Sequence, residues 1–305
     1  MSWRANGIML KVGCCGYPVS MRRYQETFKV VELNSTFYKY PKPETVKKWR
    51  ETAPKEFEFT VKAHQDITHK HRMNLEQTCE SLDTMKTVCH ILDAKVLLFQ
   101  TPASFKPEKL QETAEFFEQF NRENLVLAWE PRGPLWEPAE TREKLKAVLE
   151  NLDVSHVTDP FRSMPVYTGK TAYLRLHGHG ERMYYYQYSN EELGILHEKA
   201  KFFDTGDRQV YIFFNNLTMF EDAQIFRSYV ETGFFPKPII IGREAVKNVV
   251  CRTRYPTTKT ELMEKTGWRL VELENHKQVK MADLLKRLLH SNYGSPEAVM
   301  KELEI

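Results

Sequence analysis

What is scarce in this sequence narrows its function before any motif is read. Neither sign of charge is in excess: 44 Lys and Arg stand against 41 Asp and Glu, a formal net charge of +3, so the surface lacks the overall basic bias of a non-specific nucleic-acid binder. Cysteine is sparse and unpatterned. Cys14, Cys15, Cys79, Cys89 and Cys251 are odd in number and scattered, which suggests neither a disulfide framework nor a paired CxxC metal site and points to a reducing, cytoplasmic setting. No positively charged leader precedes a long apolar run and no stretch of about 18 apolar residues occurs, so neither secretion nor a membrane span is expected. Walker and GxGxxG loops are missing, leaving nucleoside-triphosphate and dinucleotide cofactors unsupported, and HExxH is missing too. There is no internal repeat or low-complexity segment.

What is present is a steady beat of strand and helix. Apolar, β-branched runs predict strands at 8–12, from Val30, and at 57–63, 96–99, 125–129, 155–157, 171–176 and 210–214. Between them, helical spacing predicts helices over 22–28, 43–53, 75–92, 107–120, 136–152, 190–203 and 217–230, several opened by a proline where its missing amide costs least. Such alternation over most of 305 residues predicts an α/β fold, a TIM-type (β/α)8 barrel spanning 1–235. Beyond it the pattern changes. A densely charged tail, 236–305, predicts a small C-terminal α+β appendage, helical over 259–266, 281–290 and 295–303 and strand-like over 268–273, a candidate surface for a protein partner.

The most polar strand is VVELNSTFYKYP, Val30–Pro41. If its extended conformation persists, Glu32, Asn34, Thr36 and Tyr38 alternate to one side and converge on a ligand. In a barrel the site lies at the carboxyl ends of the strands, and the residues that follow them are Gly13 and Gly16, Glu32 and Asn34, Lys62 and His64, Gln100, Glu130 and Arg132, Asp159, Arg175 and His177, and Asn215 and Asn216. Loops are polar anyway, which accounts for part of this pattern, but nearly every strand exits into an ionisable or hydrogen-bonding group.

Three clusters carry most of the chemistry. Glu130-Pro131-Arg132, between Trp129 and Trp136, sets a guanidinium beside a carboxylate: either a structural ion pair at the rim or a bidentate clamp for phosphate or carboxylate. Arg175-Leu176-His177-Gly178 offers two cationic groups with a glycine that lets a ligand approach the backbone. Thr68-His69, followed by Lys70, His71 and Arg72, is either solvated surface or a basic loop over an anion. Lys62 is open to Schiff-base chemistry, although a lysine extended along the rim is the simpler reading. The Met183–Tyr188 run, MYYYQY, either stacks on bases or sugars or covers the mouth. Glu32, His69, Glu130, Asp159 and His177 are ligand types for a divalent metal, a candidate cofactor that no local spacing supports.

The segments VGCCGYP, VELNSTFYKYP, Trp49 with TAPKEFEFTVKA, the ITH ending at His69, QTP at Gln100–Pro102, WEPRGPLW, Asp159, YLRLHG and YIFFNN run in order through residues 8–220 and together resemble the DUF72 (YecE-like) family of TIM-barrel proteins. The resemblance implies a TIM-type barrel, distantly similar to sugar-isomerase and endonuclease-IV-like barrels, and implies no activity. Two departures stand out: Pro131 interrupts the glutamate–phenylalanine–arginine run that members carry after strand five, restricting the backbone of Glu130, and the tail lies beyond the shared barrel.

The expectation is an enzyme acting on a phosphate- or sugar-bearing substrate, a nucleotide or nucleic acid included, by phosphoester hydrolysis. Glu32 or Glu130 would act as base, with His69 and His177 as further catalytic candidates. Arg132, Arg175 and His177 would hold the anion, and Asn34, Asn215 and Asn216 would orient it. Tyr38, Lys62, Gln100, Asp159 and Tyr188 complete the expected substrate contacts. The alternatives are a non-catalytic module binding an anion, metabolite or nucleic acid, and a sugar isomerase in which two carboxylates grip a metal.

Overall fold

The computed structural model describes residues 4–5, 8–203 and 208–303. The chain divides into two compact units, the first of residues 1–176, 196–215 and 219–227 and the second of 177–195, 216–218 and 228–305. The division is not a single cut near residue 235, because the chain following two strands of the first unit is gathered into the second.

In the first unit every expected strand forms: β1 (Ile8–Cys14), β2 (Val30–Leu33), β3 (Glu58–Lys62), β4 (Val96–Thr101), β5 (Val126–Pro131), β6 (Val154–His156), β7 (Thr171–Leu176) and β8 (Gln209–Phe214). They pair in parallel, β2 through β6 in one sheet and β1, β8 and β7 in another, where Arg4–Ala5 adds a short antiparallel edge. Isolated parallel bridges join Cys15 to Glu32 and Thr158 to Leu174. Helices connect the strands, among them Leu75–Leu92, whose left-handed C-cap is Asp93, and Ala139–Leu152, which starts later than periodicity suggests because Pro134–Trp136 forms a separate 3-10 turn.

The register stacks side chains in layers. Val30, Leu98, Ala128, Tyr173 and Phe213, from strands of both sheets, share one buried cluster with Cys15 and Val157. Two residues further along the same strands, and so on the same face, come Glu32, Gln100, Glu130 and Arg175. Toward the other ends of the strands, Lys11 binds Glu58 (2.5 Å) and Gln209 (2.9 Å), and Tyr211 also donates to Glu58.

Close packing against β1 depends on a missing side chain. A Cβ on Gly13 would stand 2.5 Å from the Val30 carbonyl oxygen and 3.0 Å from the Tyr24 hydroxyl, which itself accepts from the Cys14 N–H and donates to that same carbonyl. Gly13→Ala is expected to cost about 1–3 kcal/mol through overpacking, read as a lowered melting temperature; an unchanged one refutes the contact.

The stretch from Val30 does not stay extended. The strand ends at Leu33, and Ser35–Tyr38 makes one helical turn, because the Thr36 hydroxyl donates to the carbonyls of Leu33 (2.9 Å) and Lys62 (2.7 Å) and draws the chain back on itself. Thr36 is thereby a buried strut, and Tyr38 points outward, 70% exposed, so neither joins the ligand-facing row that alternation predicts.

The second unit has its own core, in which Val246, Val250, Leu262, Met281, Leu285 and Val299 are fully buried. The helices Lys259–Thr266 and Pro296–Leu303 fall where expected; Met281–Leu285 is shorter than expected, and Gly242–Val250 is a further helix. Leu270–Glu272 pairs antiparallel with Gln278–Lys280, and Thr257–Thr258 with Asn292–Tyr293. No helix among the described residues is long and apolar enough to cross a membrane.

Candidate functional site

The inner layer of the site is built around Arg175. Its side chain is 1% exposed, and its Nε and Nη2 donate to the two oxygens of Glu32 at 2.9 and 2.8 Å, the bidentate geometry that a planar guanidinium favours. Its Nη1 donates to Glu130 from the other side. Burial by itself would lower the guanidinium pKa, but Cys15, Glu130 and Glu32 around it raise it, and together they hold the pKa well above its ordinary value. Arg175 is therefore a permanent cation locked between two anions, not the open anion clamp that the sequence suggests.

Glu32, fully buried, also accepts from Asn34 (2.8 Å) and from the Tyr173 hydroxyl (2.8 Å), which shares a second hydrogen bond with Thr60. With Arg175 these donors fill the lone-pair positions of the Glu32 carboxylate, so Glu32 has no vacant oxygen with which to take a proton from a substrate. Asn34 spends its amide on Glu32 instead of capping the turn that follows it. Cys15 lies beside Arg175 and Glu32; desolvation drives its thiol pKa well up, so it stays protonated.

The outer layer is cationic. Lys62, 6% exposed at the end of β3, donates to the Gln100 amide oxygen (2.7 Å), and its ammonium stands 3.8 Å from the centroid of Phe37. Desolvation, reinforced by the charge of Arg175 and only partly opposed by Glu32 and Glu130, lowers its pKa to about 7. His69 sits on a wide π-type turn, Asp66–Lys70, edge-on to Phe37. Burial and the nearby charges of Lys62 and Arg132 lower its pKa as well. Arg132 donates to Glu130 at 2.7 Å. The fixed charge of Arg132 thus disfavours the charged forms of both Lys62 and His69, and Lys62 disfavours that of His69 further.

The other expected residues make contacts of their own. Asp159 accepts from the Phe161 N–H (3.0 Å), closing its own turn. Asn215 pairs through its backbone N–H with Leu176, and its side chain is half-buried. His177, Tyr188 and Asn216 belong to the second unit. There Tyr188 is buried and its hydroxyl accepts from the Gly178 N–H, the Asn216 amide holds the Tyr186 carbonyl and the Thr218 hydroxyl, and the His177 carbonyl accepts from the Tyr184 N–H. These contacts hold the tyrosine-rich segment in shape. Sequence reasoning passed over Cys15, Phe37, Thr60 and Tyr173; the last two carried a readable signal, since each precedes by two residues a strand-end residue of the site, Lys62 and Arg175.

A divalent metal does not fit these residues. Among the described residues no three His, Cys, Asp or Glu side chains lie together as a metal requires. Glu32 and Glu130, the pair that would grip it, instead grip the Arg175 guanidinium.

A family model described as protein of unknown function DUF72 matches residues 15–231. The UPF0759 protein YecE of Escherichia coli K12 is 34% identical over 94 residues, a match spanning 30% of this chain and 34% of that protein, about a third of the curated relative's length. Two solved structures are similar in fold. A DUF72 family protein (TM1631) from Thermotoga maritima MSB8 has TM-score 0.59 at 26% identity, covering 73% of this chain and 99% of that one. Another (EF0366), from Enterococcus faecalis V583, has TM-score 0.60 at 21% identity, covering 72% and 97%.

Proposed function

This chain belongs to the DUF72 family, described as of unknown function, and from the site itself we propose that it is an enzyme acting on a phosphate- or sugar-bearing substrate, with Lys62 as the reacting group. In this reading the two sheets are halves of one closed (β/α)8 barrel, a view supported by the Cys15–Glu32 and Thr158–Leu174 bridges and by the core cluster drawn from both sheets. The substrate enters at the carboxyl ends of the strands, in a cytoplasmic setting that suits five free thiols.

The observation that carries the proposal is the Lys62 amine buried at the end of its strand, 6% exposed, on the Gln100 oxygen and against Phe37, where desolvation brings its pKa down to about 7. At neutral pH a large share of Lys62 is the free base, the form that attacks a carbonyl carbon. The carbinolamine then loses its hydroxyl as water; the iminium takes up the electron pair of the adjacent C–H bond as its proton leaves to water, the enamine so formed is reprotonated, and hydrolysis of the imine returns the Lys62 amine. Arg132 and protonated His69 receive the phosphate. Glu32, Asn34 and Tyr173 keep Arg175 in place, and Arg175 in turn helps hold Lys62 neutral until an anion arrives.

Phosphoester hydrolysis is the second reading, favoured by the same cations: the Lys62 amine, rather than Glu32, would take the proton from water. A sugar isomerase with a carboxylate-bound metal is not supported by a carboxylate pair closed on an arginine. A binding module without turnover accounts for the cations but not for an amine poised near neutrality.

Proton uptake tests the site. Binding of inorganic phosphate or ribose 5-phosphate at pH 7.5, followed by calorimetry in buffers of different ionisation enthalpy, is expected to take up protons, because an added anion raises the Lys62 and His69 pKa values. Absence of uptake, or equal uptake by Lys62→Met, sinks the proposal. Borohydride reduction with a sugar phosphate, followed by peptide mass mapping, then separates carbonyl attack, which labels Lys62, from hydrolysis, which does not.

A further inference from the structure

The second unit contains a cleft of about 450 Å³ lined by Arg252, Arg254, Lys265, Arg269, Trp268 and Thr253, with none of its lining residues acidic. Arg252, Arg254 and Lys265 are exposed, and their side chains make no hydrogen bond or ion pair among the described residues, although the Lys265 charge is felt by Glu261 one turn earlier on its helix. Bringing like charges to one concavity without a carboxylate is unfavourable unless an anion is present to neutralise them. The Thr253 hydroxyl strengthens the case: the residue is 8% exposed, lines the cleft, and its Oγ1 has no hydrogen-bond partner among the described residues. A buried hydroxyl left unsatisfied is costly and marks a place where a ligand or water completes the set.

The cleft also has an aromatic wall. The Trp268 indole N–H donates to the Lys265 carbonyl (3.0 Å), which fixes the ring, and the Arg269 guanidinium stands over one face, 5.4 Å from the ring centroid, so a base would stack on the opposite face. Tyr185 meets it edge-on at 5.9 Å, with the Arg182 guanidinium 3.5 Å from the centroid of that tyrosine ring. A rigid indole beside several cations is the combination that binds a base by stacking and a phosphate by charge.

We propose that this cleft binds a nucleotide unit, the base against Trp268 and the phosphate on Arg252, Arg254 and Lys265 with the Thr253 hydroxyl, either as a free nucleotide or as part of a single strand. It shares no residue with the Lys62 site and does not depend on the reaction assigned there. The nearly balanced charge of the whole chain concealed it, because the cations that matter are local.

The test uses the full chain and a fluorescein-labelled ten-nucleotide oligothymidylate in an anisotropy titration, with thymidine monophosphate and inorganic phosphate as competitors. The oligonucleotide is expected to bind with an affinity that falls as salt rises. Arg252→Ser with Arg254→Ser is expected to weaken it at least tenfold and to flatten the log–log salt slope by about 1.4, two contacts at roughly 0.7 each. Lys62 takes no part in this binding, so Lys62→Met should bind as the wild type does. An oligonucleotide at least tenfold tighter than the monophosphate identifies a strand as the ligand; equal affinity identifies the free nucleotide. Phosphate displacing the probe as well as the monophosphate does would overturn the stacking role of Trp268. Absence of binding at low salt, or a double variant that binds like wild type, overturns the site. Both arginines are exposed, so an unchanged melting temperature is the expected control, and Lys265→Gln supplies a second variant if that control fails.

Discussion

Arg175→Met is expected to destabilise the first unit by about 3–5 kcal/mol, because it leaves Glu32 and Glu130 buried and facing each other without the cation between them. The methionine fills much of the volume, so the loss reports on charge rather than on a cavity. Adding Glu32→Gln and Glu130→Gln removes the two facing carboxylates, of which only Glu130 keeps a cation, Arg132, beside it, and the triple variant is expected to recover most of the stability. Chemical denaturation of the single and triple variants measures both. A single variant as stable as wild type, or a triple variant no better than the single, contradicts a closed carboxylate–guanidinium–carboxylate layer. This layer is also why Glu32 is a positioning residue: its oxygens are committed to Arg175, Asn34 and Tyr173.

Lys62→Met is expected to abolish turnover and ligand-linked proton uptake while making the protein more stable at neutral and acidic pH. The folded-state pKa of about 7 lies below the ordinary 10.5 because desolvation disfavours the ammonium. Between those values the unfolded chain binds a proton that the folded chain does not, so wild-type stability rises with pH through that window. The slope approaches about 1.4 kcal/mol per pH unit. Below pH 7 the folded protein carries the full penalty of a buried ammonium; above 10.5 it carries none. The stability advantage of Lys62→Met is therefore expected to be greatest at or below pH 7 and to shrink as pH rises. It is reduced throughout by the Gln100 oxygen left without its donor. A pH-independent difference between the two proteins would show that Lys62 titrates normally. A stabilising substitution that destroys activity is the signature of a group held against its own preference for function.

Much of the first unit is legible without coordinates, for a local reason. A buried parallel strand is an apolar run, a surface helix is an apolar stripe, and both periods are set by backbone geometry within a few residues. Hence β1 through β8 fall where the runs place them, and Glu32, Lys62, Gln100, Glu130 and Arg175 are each visible as polar residues at the close of an apolar run. The same locality predicts the C-terminal helix Lys259–Thr266, whose capping box is written in Thr258 and Glu261.

What each of those residues does was decided by tertiary contact. Arg175 reads as an anion clamp until Glu32, 143 residues away in sequence, closes on it, and Lys62 reads as an ordinary rim lysine until Phe37 and Gln100 exclude water from it. Tyr38 reads as a ligand contact until the Thr36 hydroxyl turns the chain. Sequence by itself determined which elements form and which polar residues end them. Pairing, desolvation and the sign of each pKa shift depend on what the fold brings within a few ångströms, and only the tertiary structure decides that.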